Sequence, residues 1–388
     1  MLKLQNIFKF TAIKAVFLLL MCLIPGMYCL ASVSGNGTLA DPDAMAVSSN
    51  NTAAARDAFN GSNATDADAN STVVIQRPDT DFHWYDHRDI LPYEYAEVTG
   101  QPAPVYSAPL PDPGSARPLR RLDGGFIWVS LQSPTVFKTG SHSWYYINPG
   151  EYVLAEELTK RPVSTFKGVD FSTTILKGSC GWVVLDTVTS KIPGIEEYID
   201  GEYLDKHVMV RIQETRFIKG KKWLKLGEKK WVDGSRVALI TKAARPDEIP
   251  PGVKWIDINL YEQVLQAYDG DLLVYATLVS SGLPGFETPT GLFRIWGKVR
   301  MAKMGGGEKG KDYYFLEDVP YHMYFHQGFA IHGAYWHDNF GIKQSHGCVN
   351  IAPRDAFWLF GWTTPRVEGG KWGKSRPSNP GTYVFVHY

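Results

Sequence analysis

Short apolar runs, each interrupted within a few residues by glycine or proline, fill the chain from about residue 82 to its last residue. The sequence contains 37 glycines and 24 prolines, and these residues mark turns and break long helices. The runs are rich in valine, isoleucine, threonine and aromatic residues, which favour strands. Only Pro353–Phe360 has helical spacing, with a proline suited to the first turn. The predicted fold class is therefore mainly β, with one short helix.

Residues 1–31 have the pattern of an export signal. Three lysines precede an unbroken apolar run from Ala15 to Ile24, which is shorter than the ~20 residues that a membrane-spanning helix needs. We predict a signal peptide with cleavage after Ala31, or an uncleaved N-terminal membrane anchor. Either reading predicts an exported protein.

Residues 32–79 follow with alanine, asparagine, serine, threonine, aspartate and glycine, and almost no large apolar side chain. Such a composition cannot bury enough surface to offset the entropy of ordering, so this segment is predicted to be a disordered tether. Over the whole chain, 40 basic residues balance 40 acidic residues. Because no basic excess is available to neutralise phosphates, nucleic acid is not expected as a partner.

Two groups of predicted strands separate the tether from the C-terminal part of the chain. They assign 80–165 and 166–245 to two small β modules, whose strand-turn-strand spacing resembles the SH3-like barrels found beside bacterial wall enzymes. A proline-rich, charged linker around Lys242–Pro251 follows. The segment 80–245 is expected to fold without the remaining residues, 253–388, which form the last predicted domain.

The last domain carries the residues that suit nucleophilic chemistry. Five of the ten histidines lie between His322 and His346, and Cys348 stands in Ser345-His346-Gly347-Cys348. A cysteine thiolate can attack a carbonyl carbon after an imidazole takes its proton, and a small neighbour such as Gly347 lets backbone N–H groups approach the developing oxyanion. The pattern indicates acyl transfer by Cys348.

These residues resemble the L,D-transpeptidases, the YkuD-type catalytic domains of bacterial envelopes. The resemblance rests on His332-Gly333, on Ser345–Asn350, on Thr288-Pro289-Thr290-Gly291 and on the final strand Gly381–Val386. It implies a C-terminal β-sandwich with one short helix, preceded by one or two SH3-like barrels. It also implies an enzyme of the bacterial cell envelope.

The resemblance implies a role for each matching residue. Cys348 would be the nucleophile and His332 the general base. Five residues would support them: Ser345, His346, Gly347, Gly333 and Asn350, with the Gly347 and Cys348 N–H groups as oxyanion donors. Peptidoglycan stem peptides would be donor and acceptor, giving a 3→3 cross-link with release of D-alanine. Water as acceptor would make the enzyme an L,D-carboxypeptidase, and a protein amine would make it an attachment enzyme.

Other readings of the same residues are weaker. A zinc site of His332, His337, His346 and Cys348 lacks compact ligand spacing and would consume the nucleophile, so no metal and no cofactor are expected. His322, His326 and His337 are expected to be core or pocket-wall residues. A papain-like hydrolase needs a histidine after its cysteine, whereas only His387 follows Cys348. A catalytically silent wall-binding protein is the remaining alternative.

Two further segments have plain structural interpretations. Cys180, between small residues, is expected to be a buried apolar side chain rather than a disulfide partner. Met301–Gly310, with three consecutive glycines, is expected to be a flexible loop.

Overall fold

The structure, a computed structural model, describes residues 90–172, 178–195, 201–367 and 372–388. The predicted signal, 1–31, and the predicted tether, 32–79, lie outside the described residues. In the described part of the chain, no helix is long and apolar enough to cross a membrane.

Strands make up most of the regular structure. The strands before the linker are β1 (Glu94–Val98), β2 (Ala103–Tyr106), β3 (Arg120–Leu122), β4 (Phe126–Leu131), β5 (Phe137–Thr139), β6 (His142–Asn148), β7 (Glu151–Leu154), β8 (Leu158–Lys160), β9 (Val169–Asp170), β10 (Ser179–Val183), β11 (Thr187–Val188), β12 (Tyr203–Leu204), β13 (Met209–Ile212), β14 (Glu214–Ile218), β15 (Lys221–Gly227), β16 (Lys230–Asp233) and β17 (Val237–Ile240). The elements after the linker are β18 (Lys254–Asn259), β19 (Val264–Asp269), β20 (Leu272–Leu278), β21 (Gly291–Arg294), β22 (Gly297–Gly306), β23 (Tyr314–His326), β24 (Phe329–Gly333), β25 (Val349–Ile351), the helix α1 (Pro353–Trp362), β26 (Trp372–Lys374) and β27 (Tyr383–His387). Short 3₁₀ turns lie at Pro113–Ser115, Ala155–Glu157 and Gly234–Arg236. The mainly β prediction is confirmed, and the predicted helix forms with Pro353 in its first turn.

Two sheets enclose the main hydrophobic core. One sheet has the order β21-β27-β18-β19-β20-β9, and the other runs β25-β24-β23-β4-β1-β8, with β22 and β26 extending from β23. Ile256 and Leu265 of the first sheet share the core with Met323 and Ile331 of the second. The result is the expected β-sandwich, in which α1 packs against β23 and β24.

Strand β18 is covered on both faces. Ile256 and Ile258 enter the main core, whereas Trp255, on the opposite face, stacks on Tyr268 with ring centroids 4.4 Å apart. Asp257, on the same face as Trp255, is buried too, and its Oδ1 lies 2.9 Å from Nε2 of His387, as a buried polar group needs a partner.

The predicted first module is built into the second sheet of the sandwich. Strands β1, β4 and β8 belong to that sheet, and β4 runs parallel to β23 with Phe126 opposite Tyr314. The remaining strands of this segment, β2, β3 and β5 to β7, form a five-stranded sheet of their own. Strands of this segment therefore share a sheet with the C-terminal domain. The independent folding of 80–245 and its division into SH3-like modules at 80–165 and 166–245 stay predictions.

The segment predicted as a flexible loop, Met301–Gly310, is mostly strand. Strand β22 continues to Gly306 and pairs with β23 through Gly306 opposite Tyr314. The glycines are compatible with a strand here because β23 supplies the hydrogen-bond partners. Beyond the strand, Gly307 and Gly310 both have positive φ, +78° and +79°, and at Gly307 a Cβ would also lie 2.3 Å from the Asp312 carbonyl oxygen.

Candidate active site

His332 lies on β24, and its side chain is fully buried. Its Nδ1 is 3.2 Å from the carbonyl oxygen of Gly333. A carbonyl can only accept, so Nδ1 carries the proton and the neutral ring keeps its lone pair on Nε2. Among the described residues, no group hydrogen bonds to Nε2. The ring is thus held in the tautomer whose free nitrogen can accept a proton.

Burial also fixes the charge of this ring. Loss of solvation lowers the pKa of His332 to about 4, although the Gly333 carbonyl favours the protonated form. At neutral pH the imidazole is therefore uncharged. An uncharged imidazole is the form that a general base requires.

Cys348 comes directly before β25 and is 4% exposed. Strands β24 and β25 are parallel, with His332 opposite Asn350. The pairing places Asn350, two residues after Cys348, beside His332 on the neighbouring strand. Cys348 itself stands at a bend and packs in the main core.

The hydroxyl of Ser345 organises the turn that leads to Cys348. Ser345 Oγ donates to the Cys348 carbonyl oxygen at 2.5 Å and accepts from the Gly347 N–H at 3.0 Å. The turn requires Gly347, whose φ is +111° and whose Cβ, if it had one, would lie 2.4 Å from Cε1 of Phe329. The Gly347 N–H, expected as an oxyanion donor, is thus engaged in the turn itself.

Thr288 fixes the same turn from outside, a role that the sequence did not indicate. Its Oγ1 accepts from the Gly282 N–H at 3.0 Å and donates to the Gly347 carbonyl oxygen at 2.8 Å. The Thr288-Pro289-Thr290-Gly291 motif had included this residue in the family resemblance, but it did not predict the hydrogen bond to Gly347. Gly333 has a packing reason as well, because a Cβ would lie 2.9 Å from Cγ of Pro320 and 3.2 Å from Cβ of Ala356 on α1.

His346 lies in the wall of the site between two aromatic rings. Its imidazole meets Phe286 edge to face at 4.5 Å and stacks on Tyr314 at 5.2 Å with an interplanar angle of 9°. Burial lowers the pKa of His346, and the carboxylate of Asp312 opposes that shift. No sequence signal had pointed to Tyr314.

The other three histidines of this region, expected as core or pocket-wall residues, pack against neighbouring rings. The imidazole of His322 stacks on that of His332, and His326 lies 4.9 Å from the ring of Phe293. His337 accepts from the Asn339 N–H through Nδ1, and its Nε2 contacts the side-chain amide of Asn350 at 3.1 Å. Asn350 therefore pairs with His332 through its backbone and contacts His337 through its side chain.

Two further observations concern groups of metal-ligating side chains and the cysteines. Within the described ranges, no group of three or more His, Cys, Asp or Glu side chains could hold a metal ion. Neither Cys180 nor Cys348 forms a disulfide bond with a described residue. Cys180 packs in an apolar cluster, and burial raises the pKa of its thiol to about 11, so it is an inert core residue as expected.

Comparison with known proteins places the C-terminal domain. Residues 253–386 match the family YkuD, the L,D-transpeptidase catalytic domain. No curated protein matches the chain. Among solved structures, an Enterococcus faecium L,D-transpeptidase mutant is 28% identical over 34% of this chain and 49% of that chain, with a TM-score of 0.28. The catalytic domain from E. faecium L,D-transpeptidase is 28% identical over 35% of this chain and 98% of that domain, with a TM-score of 0.28.

An L,D-transpeptidase from Mycobacterium smegmatis is 16% identical over 61% of this chain and 90% of that chain, with a TM-score of 0.30. The chain spans about half the length of the first of these solved structures. The segment 253–386 thus matches the L,D-transpeptidase catalytic domain of the YkuD family, as His332-Gly333 and Ser345–Asn350 had indicated.

Proposed function

We propose that the chain is an exported peptidoglycan L,D-transpeptidase that uses Cys348 as nucleophile and His332 as general base. The observation that carries the proposal is the tautomer of His332. Its Nδ1–H is bound to the Gly333 carbonyl, while Nε2 has no partner in the described part of the chain, and Asn350, two residues after Cys348, pairs with His332 on the adjacent strand.

The first half-reaction forms a thioester. His332 Nε2 takes the thiol proton, and Sγ of Cys348 attacks the carbonyl carbon of the third residue of a tetrapeptide stem. The tetrahedral intermediate then collapses, the bond to the terminal D-alanine nitrogen breaks, and the leaving amine takes the proton from His332. D-alanine departs and the stem remains as a thioester on Cys348.

The second half-reaction transfers the acyl group. An amine of a neighbouring stem attacks the thioester carbon, His332 takes a proton from that amine, and Sγ leaves and regains the proton. The product is a 3→3 cross-link. The turn that Ser345, Gly347 and Thr288 hold together would keep Sγ in place through both steps.

One experiment tests the reaction and separates its alternatives. The full chain is incubated with a disaccharide tetrapeptide, and the products are followed by mass spectrometry, with Cys348→Ala as control. D-alanine with a cross-linked dimer supports the transpeptidase. D-alanine with a tripeptide indicates the L,D-carboxypeptidase, and no release indicates a wall-binding protein. If D-alanine appears and the acyl group is found on an added protein amine, the enzyme attaches proteins.

We also propose a wall-polymer contact in a cleft of about 710 Å³ between residues 217–238 and the catalytic domain. Phe217 and Tyr261, 71% and 73% exposed, lie along it with Lys221 and Lys222. Exposed flat rings suit sugar faces, and ammonium groups suit stem carboxylates. Glu262 keeps the cleft in shape, since it accepts from the Leu239 N–H at 2.7 Å.

Sedimentation tests this contact. The inactive Cys348→Ala chain is expected to pellet with insoluble peptidoglycan, and the double substitution Phe217→Ala with Tyr261→Ala to reduce the bound fraction severalfold. A second weak site of this kind raises the effective concentration of substrate by orders of magnitude without new chemistry. Tyr203→Ala, an exposed tyrosine outside the cleft, is the control. Equal pelleting of both variants would reject the cleft.

A further inference from the structure

Strands β22 and β23 form a long hairpin whose outer end leaves the catalytic sandwich. The two strands pair from Gly297 opposite Tyr324 to Gly306 opposite Tyr314. The inner end of β23 pairs with β24, which carries His332. The outer end pairs with β4 of the first segment, which we define as residues 90–165. One strand therefore connects the first segment to the neighbour of the proposed general base.

The tip of the hairpin is attached to the first segment by several contacts. The Phe126 N–H donates to the Tyr313 carbonyl oxygen at 2.9 Å, and the Gly310 N–H donates to the Gly124 carbonyl oxygen at 2.9 Å. Lys309 forms an ion pair with Asp123. These contacts hold the tip through backbone and side chains together.

Buried polar contacts hold the middle of β23 in the same way. Ser130 Oγ donates to Asp318 Oδ2 at 2.5 Å, and Asn148 Nδ2 donates to Glu317 Oε1 at 3.0 Å. The side chain of Glu317 is fully buried. A buried carboxyl group that loses its partner costs about 1–3 kcal/mol or more, so displacement of β23 from the first segment is unfavourable.

The held strand directs Tyr314 at the candidate active site. Tyr313 and Phe315 pack against the core of the first segment. Alternation along a strand sends the side chain between them to the opposite face. That side chain, Tyr314, stacks on the imidazole of His346 at 5.2 Å, two residues before Cys348.

A second line of contacts leads from the first segment to His332. Tyr95 stacks on Tyr335 with ring centroids 3.6 Å apart, and the Tyr335 hydroxyl donates to the Glu317 carbonyl oxygen at 2.6 Å. Tyr335 meets Trp336 edge to face at 5.1 Å, and Trp336 lies 5.8 Å from the ring of His332. Both sides of the site thus rest on rings that the first segment supports.

From these contacts we infer that Tyr314 is a positioning residue for the turn Ser345–Cys348 and that the first segment is a working part of the catalytic unit. The inference rests on the proposed function for the reaction that the turn serves. Tyr314 acts through His346: it holds the imidazole against Phe286, and the backbone on either side of His346 carries Ser345 Oγ and Cys348 Sγ. The catalytic domain without the first segment would lack this support.

The test compares three full-length variants: Tyr314→Ala, Tyr314→Phe and, as the matched control, Tyr203→Ala. Proton NMR follows the titration of His346, iodoacetamide measures the reactivity of the Cys348 thiol, and D-alanine release gives kcat and KM. Tyr314→Ala is expected to raise the pKa of His346 toward its ordinary value, because the ring loses the side chain that excludes water. Asp312, the charged group that also acts on His346, is unchanged in every variant.

Tyr314→Ala is also expected to lower kcat and the alkylation rate roughly 10-fold with little change in KM, since misplacement of a reacting group costs rate. Tyr314→Phe keeps the ring and should restore all three readouts, and Tyr203→Ala should leave them at wild-type values. A Tyr314→Ala chain that keeps the wild-type His346 titration and thiol reactivity overturns the inference.

The titration and the alkylation do not depend on turnover. If the wild-type chain releases no D-alanine but the two readouts respond as expected, the proposed reaction fails and the positioning role stands. If Tyr314→Ala does not fold, Ser130→Ala takes its place. It loosens β23 from the first segment without touching the site, and it is expected to shift the same two readouts in the same direction. An unchanged His346 titration in Ser130→Ala would reject the role of the first segment.

Discussion

The imidazole rings of His322 and His332 are stacked, with centroids 5.1 Å apart and planes inclined by 29°. Both side chains are buried, and neither ring nitrogen of His322 makes a hydrogen bond of normal geometry to a described residue. Burial, and then the neighbouring His332, place the pKa of His322 well below its ordinary value. His322 therefore behaves as a flat, uncharged wall beside the proposed base.

This relationship predicts which substitutions of His322 the enzyme tolerates. His322→Phe keeps a flat ring and is expected to retain D-alanine release within about 3-fold, because a residue that only packs against the base transfers no proton. His322→Ala leaves a cavity beside His332 and should cost about 3 kcal/mol of unfolding free energy as well as activity. Chemical denaturation and the release assay measure both effects. An inactive, stably folded Phe variant would mean that His322 handles a proton.

The nucleophile is tested by two small substitutions of Cys348. Cys348→Ala should abolish D-alanine release and leave the fold intact, because the change removes the thiol and little else. Cys348→Ser should be nearly inactive, since a hydroxyl is a far weaker nucleophile beside an imidazole that serves a thiol. Circular dichroism checks the fold. Substantial release by the Ala variant would remove Cys348 from the mechanism.

The choice of base between His332 and His346 has a kinetic test. Nε2 of His332 has no hydrogen-bond partner among the described residues, whereas His346 packs between Phe286 and Tyr314. His332→Ala is therefore expected to slow alkylation of Cys348 by iodoacetamide at neutral pH by roughly 10²-fold or more, a typical contribution of general-base catalysis. His346→Ala should slow it less. Equal or reversed effects would transfer the role to His346.

The turn before Cys348 should tolerate no side chain at position 347. Gly347→Ala meets both a φ of +111° and a Cβ position 2.4 Å from the Phe329 ring, and an L-residue there costs about 1–3 kcal/mol from backbone strain alone. We expect a lower melting temperature and little D-alanine release. Gly150→Ala, also at positive φ but with no atom of a described residue within 4 Å of its Cβ, is the control for the backbone strain. Activity in Gly347→Ala equal to that of the control would contradict the expected turn geometry.

The Glu317 carboxyl gives the stability a defined pH dependence. Burial, opposed chiefly by the hydrogen bond from Asn148, raises its pKa to about 7 from 4.5. The folded state thus binds more protons than the unfolded state between these values, so the stability contributed by Glu317 is full below about pH 4.5 and lost as the pH rises through about 7. Glu317→Gln can keep the bond from Asn148 and should stabilise the protein at about pH 8 by up to about 3 kcal/mol.

Urea denaturation of wild type and Glu317→Gln at about pH 5 and pH 8 measures this effect. The substitution should matter little at the lower pH, where the wild-type carboxyl is already protonated. Asp269→Asn, at an exposed position, controls for the loss of one negative charge. A stabilisation of equal size at both pH values would show that the carboxyl of Glu317 does not titrate as described.

The sequence determined the features that depend on neighbouring residues. Apolar runs between turn residues gave β4 its limits at Phe126 and Leu131, and Pro353 marked the first turn of α1. The family resemblance could also be predicted from short motifs. Ser345–Asn350 and His332-Gly333 indicated the L,D-transpeptidase catalytic domain that matches 253–386. Strand alternation, turn formation and motif chemistry act within a few residues, so one chain is enough to detect them.

Only the tertiary structure decided how distant segments meet. Pairing of Phe126 with Tyr314 joins strands almost 200 residues apart in the chain, and it connects strands of the first segment to the sheet that carries His332. The glycines of β22 led to the prediction of a loop because glycine has a low strand propensity. Pairing with a neighbouring strand can stabilise a strand whose own residues have low propensity. The contact of Tyr314 with His346 likewise depends on how β23 packs beside the turn before Cys348. The sequence of one strand does not identify the distant strand with which it pairs, because long-range contacts depend on the packing of the whole fold.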